Sequence, residues 1–582
     1  MRAAMPGVRT GTTGPEGRYK WVALSNTTLG MLMATVNSSI VIISLPAIFR
    51  GIGLEPLQPG NIGYLLWMLM GYLVATSVLV VTFGRVGDML GRVRMYNAGC
   101  VVFTVASIGL ALAPGHGGTA ALGLIALRIV QGVGGALLMA NSTAILTDAF
   151  PADQRGMAMG INQVAAIAGS FIGLILGGVL AEIDWRLVFW VSVPIGLVAT
   201  AGAYLGLRET ATRRATATVD WWGNLTFAAG LIMLLVGITY GIQPYGGHTM
   251  GWTSPMVLTL LLGGLAILAA FMVIERRVAQ PMFHLGLFRI RAFSAGNLAG
   301  LLASIARGGL QFMMIIWLQG IWLPLHGYSF ERTPLWAGIY LLPLTVGFLV
   351  AGPLSGWLSD RYGARPFATG GMVIAALAFG LLELLPADFS YPVFALLLVL
   401  NGIGSGLFTA PNTAGIMNSV PASQRGVASG MRATFQNSGF VLSIGLFFSL
   451  MIAGLASALP HTLQSGLTSN GVPAEVASRV ANLPPVGSLF AAFLGYNPVQ
   501  TLLGPQVLGS LPPGRAAFLT GQTYFPQLIS GPFANGLRIV FTAAALLCLV
   551  AAVASWLRGG RYVHLEEAEA PVHGHAEESM PA

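Results

Sequence analysis

The 582-residue chain is 55% hydrophobic and 8% charged, far below the charged share of roughly one quarter usual in soluble domains, which excludes an ordinary water-soluble enzyme or binding module. Its net charge of +9 comes from basic residues scattered singly between apolar runs rather than gathered on one face, which excludes a nucleic-acid-binding surface. Two cysteines, Cys100 and Cys548, both inside apolar runs, exclude a disulfide framework and a thiolate metal site.

Residues 1–20 carry Arg2, Arg9, Arg18 and Lys20 but no apolar core, and the run from Val22 to Phe49 is too long for a signal peptide, so the start of the chain reads as a retained tail. Stretches of about 20 apolar residues, the length that crosses a bilayer, are expected near 23–49, 62–82, 95–114, 119–147, 157–181, 187–207 and 223–243. Seven more are expected near 255–274, 293–318, 335–357, 367–386, 391–412, 428–456 and 534–557. Alternate connections collect Arg85, Arg92, Arg94, Arg155, Arg208, Arg213, Arg214, Arg276, Arg277, Arg289, Arg291, Arg361, Arg365, Arg425, Arg432, Arg558 and Arg561, which by the positive-inside rule face the cytoplasm. Both termini then lie inside a multi-pass inner (plasma) membrane protein. The long connection 458–533 faces outward, with apolar pieces such as Val486 to Leu494 forming short helices over the outer mouth. The acidic tail 559–582 has the composition of a disordered segment.

An internal repeat divides the chain. Residues 131–160 align with 401–430 without a gap, setting Gly132, Gly134, Arg155 and Gly156 on Gly402, Gly404, Arg425 and Gly426. Gly84, Asp88 and Gly91 align in the same way with Gly356, Asp360 and Gly363. Both copies fall on the face read as cytoplasmic, so the halves are parallel repeats, six spans over 21–208 and six over 292–558, with two inserted spans over 209–291. Transporters with such repeats bind substrate between the halves and rock around it.

The run from Gly84 to Arg94, with Asp88, Gly91, Arg92 and Arg94 at their spacing, resembles the signature loop of the major facilitator superfamily, and Gly356 to Arg365 is its second copy. Here glycines allow a tight turn, and a carboxylate can cap a helix or pair with arginine across the inner gate. Trp67 and Tyr72, the set Arg128, Gln131, Gly132 and Gly134, and the pairs Trp185-Arg186 and Pro194 with Gly196 are similar to the fourteen-helix drug:proton antiporter branch. That resemblance implies an all-α major facilitator fold and multidrug efflux. Two positions depart from it. Asn37 stands where that branch carries an aspartate, and an amide cannot carry a proton; Leu174 replaces the proline of the fifth-span signature over Gly173 to Gly178, which weakens the expected kink.

Charges at membrane depth are expensive and usually functional. Arg128, about nine residues or roughly 14 Å into the fourth span, and Arg307, near the middle of the ninth, are the two basic residues expected there. Each reads either as an anchor for an anionic or coupling group or as a donor to helix carbonyls. The amides Asn162, Gln163, Gln311, Asn412, Gln436 and Asn437 are cavity candidates or interhelical bonds, and Trp67, Trp317 and Trp322 are pocket linings or interface markers. No carboxylate falls in the middle of a span and all eight histidines lie outside the spans, so the cavity is expected to be neutral or positive and to favour neutral or anionic amphiphiles. Proton coupling rests on the resemblance alone.

A membrane enzyme would need clustered His, Asp, Glu or Cys and a primary pump a phosphate-binding loop, neither of which is present in the sequence; a channel would want repeated pore-lining polar residues, and the two-fold repeat with its paired signature loops fits rocking better than conduction. The expectation is a monomeric secondary transporter in a lipid bilayer with a small-molecule substrate, no cofactor and no nucleic-acid partner. The alternatives are a facilitator or non-proton-coupled transporter of an anionic or neutral solute, and a non-transporting receptor.

Overall fold

In hydrocarbon every backbone N–H and C=O must be satisfied within the protein, so long apolar runs become helices. The computed structural model describes residues 15–55, 58, 61–151, 154–209, 220–278, 281, 283–421, 424–482, 484–495, 497–512 and 514–559. These residues are helical with no strand, one isolated bridge joining Tyr245 and His248. Among the described residues, fourteen helices are long and apolar enough to cross a membrane. Spans 1 to 7 are Arg18–Gly51, Asn61–Leu90, Arg92–Ala111, Gly117–Ala149, Met157–Ile183, Leu187–Gly206 and Trp221–Gly241. Spans 8 to 14 are Pro255–Glu275, Arg291–Leu325, Thr333–Ser359, Ala364–Glu383, Tyr391–Asn418, Val427–Thr468 and Tyr524–Leu557.

All fourteen expected spans are present, but several helices overrun their apolar cores. Span 13 continues beyond residue 456 because Leu459, Leu463 and Leu467, four residues apart, form one buried stripe past the point where Ser457 and His461 end the apolar run. Span 14 begins ten residues earlier than expected, running through Pro532 and burying Phe525, Ile529 and Phe533.

Packing repeats with a shift of eight spans. Span 1 lies on spans 5 and 6, span 2 on span 4, and span 3 on spans 4 and 6; span 9 lies on spans 13 and 14, span 10 on span 12, and span 11 on spans 12 and 14. Repeated glycines do the same work in each copy. Gly132 lies on the backbone of Tyr72 in span 2, and Gly402 on that of Leu344 in span 10, with no room for a methyl group at either. The halves meet where span 2 touches span 13 and span 5 touches span 10, two contacts that exchange under the same shift. Inserted spans 7 and 8 pair with each other, and span 7 leans on spans 2 and 13.

An even number of crossings puts the segments at Gly84 and Gly356 on one face, here called the loop face. The opposite, plug face carries the long connection, folded as helices Ala474–Ala481, Pro485–Phe493, Val499–Ser510 and Arg515–Thr520. Every residue of Pro485–Phe493 is buried. Its Phe490 stacks on Phe448 of span 13 at 5.2 Å, and Phe493 lies 6.1 Å from Phe312 of span 9. This helix is part of the core rather than a cover over it.

Candidate functional site

The signature segment is less a loop than a one-residue break. Span 2 stays helical to Leu90 and span 3 starts at Arg92, with only Gly91 between them at φ +114°; Gly363 repeats this at φ +88°. Such φ values suit glycine alone. Arg92 is clamped inside the first half: it donates to Asp88, one helical turn back, at 2.8 Å and pairs with Asp148 at the end of span 4 at 2.6 Å. The pairing expected across the gate is therefore made within one half, because Asp148 is brought to Arg92 by the packing of span 4 on span 3. The capping carboxylate is Glu209, which accepts from the Arg92 and Val93 amides at 3.0 and 3.2 Å at the positive end of span 3. In the second copy Arg365 instead lies 3.8 Å over the ring of Trp556 in span 14; the Asp360 side chain lies outside the described residues, and Arg94 is exposed.

Deep in the first half, Arg128 is 2% exposed and held by amides. It donates to Asn37 of span 1 and, at 2.7 Å, to Gln131 one turn on. Asn37 donates to Ser192 at 3.1 Å, Gln131 to Ser107 at 2.8 Å, and Ser107 to the Phe103 carbonyl. The guanidinium stands 4.7 Å from the Tyr72 ring centre, and the Tyr72 hydroxyl donates to the Ala34 carbonyl. Asn37, Arg128 and Gln131 are thus one network with a fixed positive charge, a buried Arg128 Nε left without a partner and, among the described residues, no carboxylate partner.

The second half holds the open feature. A cavity of about 40 Å³, room for a few waters, lies among spans 9, 11, 12 and 13 in their loop-face halves. Arg307, Asn412, Gln436 and Arg432 line it, with Phe408, Phe435 and Met372 as apolar walls. Arg432 corrects the sequence reading, which put it in a cytoplasmic connection: the helix of span 13 starts at Arg425, so Arg432 is two turns inside. Its Nη1 donates to Gln436 at 2.9 Å while its Nε is buried without a partner. Arg558, just past span 14, donates to Asn412, which donates to the Gly296 carbonyl at 3.1 Å.

Other candidates join neither cluster. Trp67 packs on the main apolar core, Gln163 is exposed and Gln311 is partly buried. Asn162 donates weakly to Ser142 at 3.4 Å, and the Asn437 amide nitrogen is buried without a partner. Trp317 and Trp322 are core residues rather than pocket linings, their indoles donating to the Ala387 and Phe389 carbonyls at 3.2 and 3.0 Å.

On the plug face the halves are tied directly. Gly178 of span 5 lies against the backbone of Leu335 in span 10, too close for any side chain, and Gly338 against that of Leu174. Span 5 is helical throughout, so leucine at 174 goes with an unbroken helix. Arg332 pairs with Glu182 at 3.4 Å, Gln319 donates to the Ile43 carbonyl at 3.3 Å, and Arg50 donates to the Leu494 carbonyl at 3.2 Å. Gln319 sits in a π-helical stretch, Leu318–Trp322, whose wider turn aims it across the interface.

A family model described as Major Facilitator Superfamily matches residues 27–306 and 214–444. The tetracenomycin C resistance and export protein of Streptomyces glaucescens is 28% identical over 93% of this chain and 92% of its own length. The cephamycin export protein of Amycolatopsis lactamdurans is 32% identical over 83% of this chain and 92% of its own. A bacterial homologue of the human lysosomal transporter Spinster, solved in an inward-facing, occupied conformation, superposes with a TM-score of 0.51 at 16% identity, covering 94% of this chain and 97% of that one.

Proposed function

This chain belongs to the major facilitator superfamily, and from that premise we propose that it exports small amphiphilic compounds across the cell membrane by alternating access, with the loop face cytoplasmic. The observation that carries this reading is the uneven joining of the halves. Their direct hydrogen bonds and ion pair, among the described residues, lie on the plug face, while the polar cavity lies in the loop-face half. A carrier loading from the cytoplasm needs that state, and the opposite one requires the Arg332–Glu182 pair and the Gln319 and Arg50 bonds to break. Export proteins among the relatives support the direction.

A second reading has its own support. Asn37 presents an amide to Arg128, so this locus holds charge but exchanges no proton, which favours a facilitator or a carrier without proton coupling. Inside-out vesicles bearing the protein, offered neutral, anionic and cationic fluorescent amphiphiles with and without an imposed pH gradient, test both. Uptake that follows the gradient supports a coupled exporter, gradient-independent equilibration supports the facilitator, and no protein-dependent movement of any dye overturns transport of amphiphiles.

A further inference from the structure

Three arginines surround one small volume of the second half. Arg307 and Arg432 line the cavity, and Arg558 adjoins it through Asn412. The ion pairs among the described residues lie elsewhere, so no described carboxylate neutralises the three. Arg307 makes no hydrogen bond to a described residue, and Arg432 has one guanidinium nitrogen held by Gln436 and another buried with no acceptor. Buried guanidinium nitrogens left without acceptors, as in Arg432 and Arg558, cost free energy that a bound anion returns.

Donor geometry narrows the ligand. A guanidinium presents paired N–H groups that match carboxylate, sulfonate or phosphate oxygens two at a time. Phe408, Phe435 and Met372 on the same wall suit an apolar body attached to that anion. The volume is too small for a whole drug-sized molecule, which needs about 300 Å³ or more, so it receives one end of a substrate.

Resting on the export reading above, we propose that Arg307 and Arg432 form an anion subsite that binds the carboxylate, sulfonate or phosphate end of an amphiphile. Gln436 holds Arg432 in place, and Asn412 is held by Arg558 at the edge of the site. Two sources can supply such a group, a soluble organic anion or an anionic lipid headgroup, since basic pockets between helices also take lipid phosphates.

Fluorescein, an anionic xanthene, and a rhodamine, its cationic analogue, provide matched probes. Binding to the full-length protein in neutral detergent is read by fluorescence polarisation, and transport by dye movement in proteoliposomes. Fluorescein should bind more tightly than the rhodamine, and Arg307→Gln or Arg432→Gln should weaken it roughly ten- to hundredfold, the loss of a charged hydrogen-bonding partner, with Arg307→Lys restoring part. Should Arg432→Gln not fold, Gln436→Glu neutralises the same corner and should depress fluorescein binding alone. Competition by phosphatidylglycerol supports the subsite and identifies a lipid source, whereas competition only by soluble anions supports it and identifies the other. Arginine-dependent fluorescein binding without dye transport would keep the subsite and remove the export reading. Rhodamine transport with no arginine-dependent fluorescein binding would do the reverse, and equal effects of the substitutions on both dyes would overturn the subsite.

Discussion

The two halves share a fold and use arginine at membrane depth in opposite ways. Arg128 in the first half is tied to other helices: Asn37, Gln131 and the Tyr72 ring surround it, Ser192 and Ser107 hold those amides, and of its nitrogens Nε is buried without a partner. Arg307 and Arg432 in the second half face a cavity, Arg307 with no hydrogen bond to a described residue and Arg432 with one, to Gln436 on its own helix. A buried cation bonded to a neighbouring helix holds the two in register, whereas one that faces a cavity is available to a ligand. Burial alone does not separate these roles, nor does an unpaired Nε, which Arg128 and Arg432 share; whether the guanidinium faces packed helices or a cavity does. The signature segments differ in a parallel way, with Arg92 held by carboxylates and Arg365 by an aromatic ring.

The largest expected effect breaks the comparison if it fails. Arg128→Ala strips Asn37 and Gln131 of a donor in a buried site, at roughly 1–3 kcal/mol for each acceptor left unpaired, so its thermal midpoint in detergent should fall by several degrees while that of Arg307→Ala stays near the parent. Equal losses would mean that both arginines are structural. Asn37→Asp sharpens the contrast by giving Arg128 a carboxylate 2.7–2.9 Å or so away, typical of such pairs. Transport should gain a dependence on the imposed pH gradient that the parent lacks, and a parent already driven by that gradient would show that its proton carrier lies elsewhere. The smallest effect concerns the signature segments: Trp556→Leu removes the ring under Arg365, a contact worth about 0.5–1 kcal/mol, and should lower stability by that amount in denaturant titration, well below the loss from Asp148→Ala in the clamped first copy.

The spans and the parallel repeat were legible because both are properties of runs: twenty apolar residues, or thirteen identities in register. What escaped the sequence depends on how helices meet. Arg432 was grouped with connection arginines because a charge count along the chain cannot tell a loop from the first two turns of a helix lining a cavity. Glu209 carries no motif, and its capping role exists only because the chain after span 6 returns to the start of span 3. The Pro485–Phe493 helix was legible as a short apolar piece, but its complete burial depends on Phe448 and Phe312 from distant spans. Asn37 shows the converse: its departure from the aspartate of similar transporters was readable at once, and its partner Arg128 emerged only in three dimensions.

The rocking of one half against the other is tested most directly across the plug face. Glu182→Cys and Arg332→Cys, placed in a Cys100→Ser, Cys548→Ser background, can be joined by a cleavable bifunctional thiol reagent, since the native side chains approach to 3.4 Å. Joining them should abolish dye transport in proteoliposomes, and cleaving the reagent should restore it. Undiminished transport by the joined protein would contradict alternating access through this face.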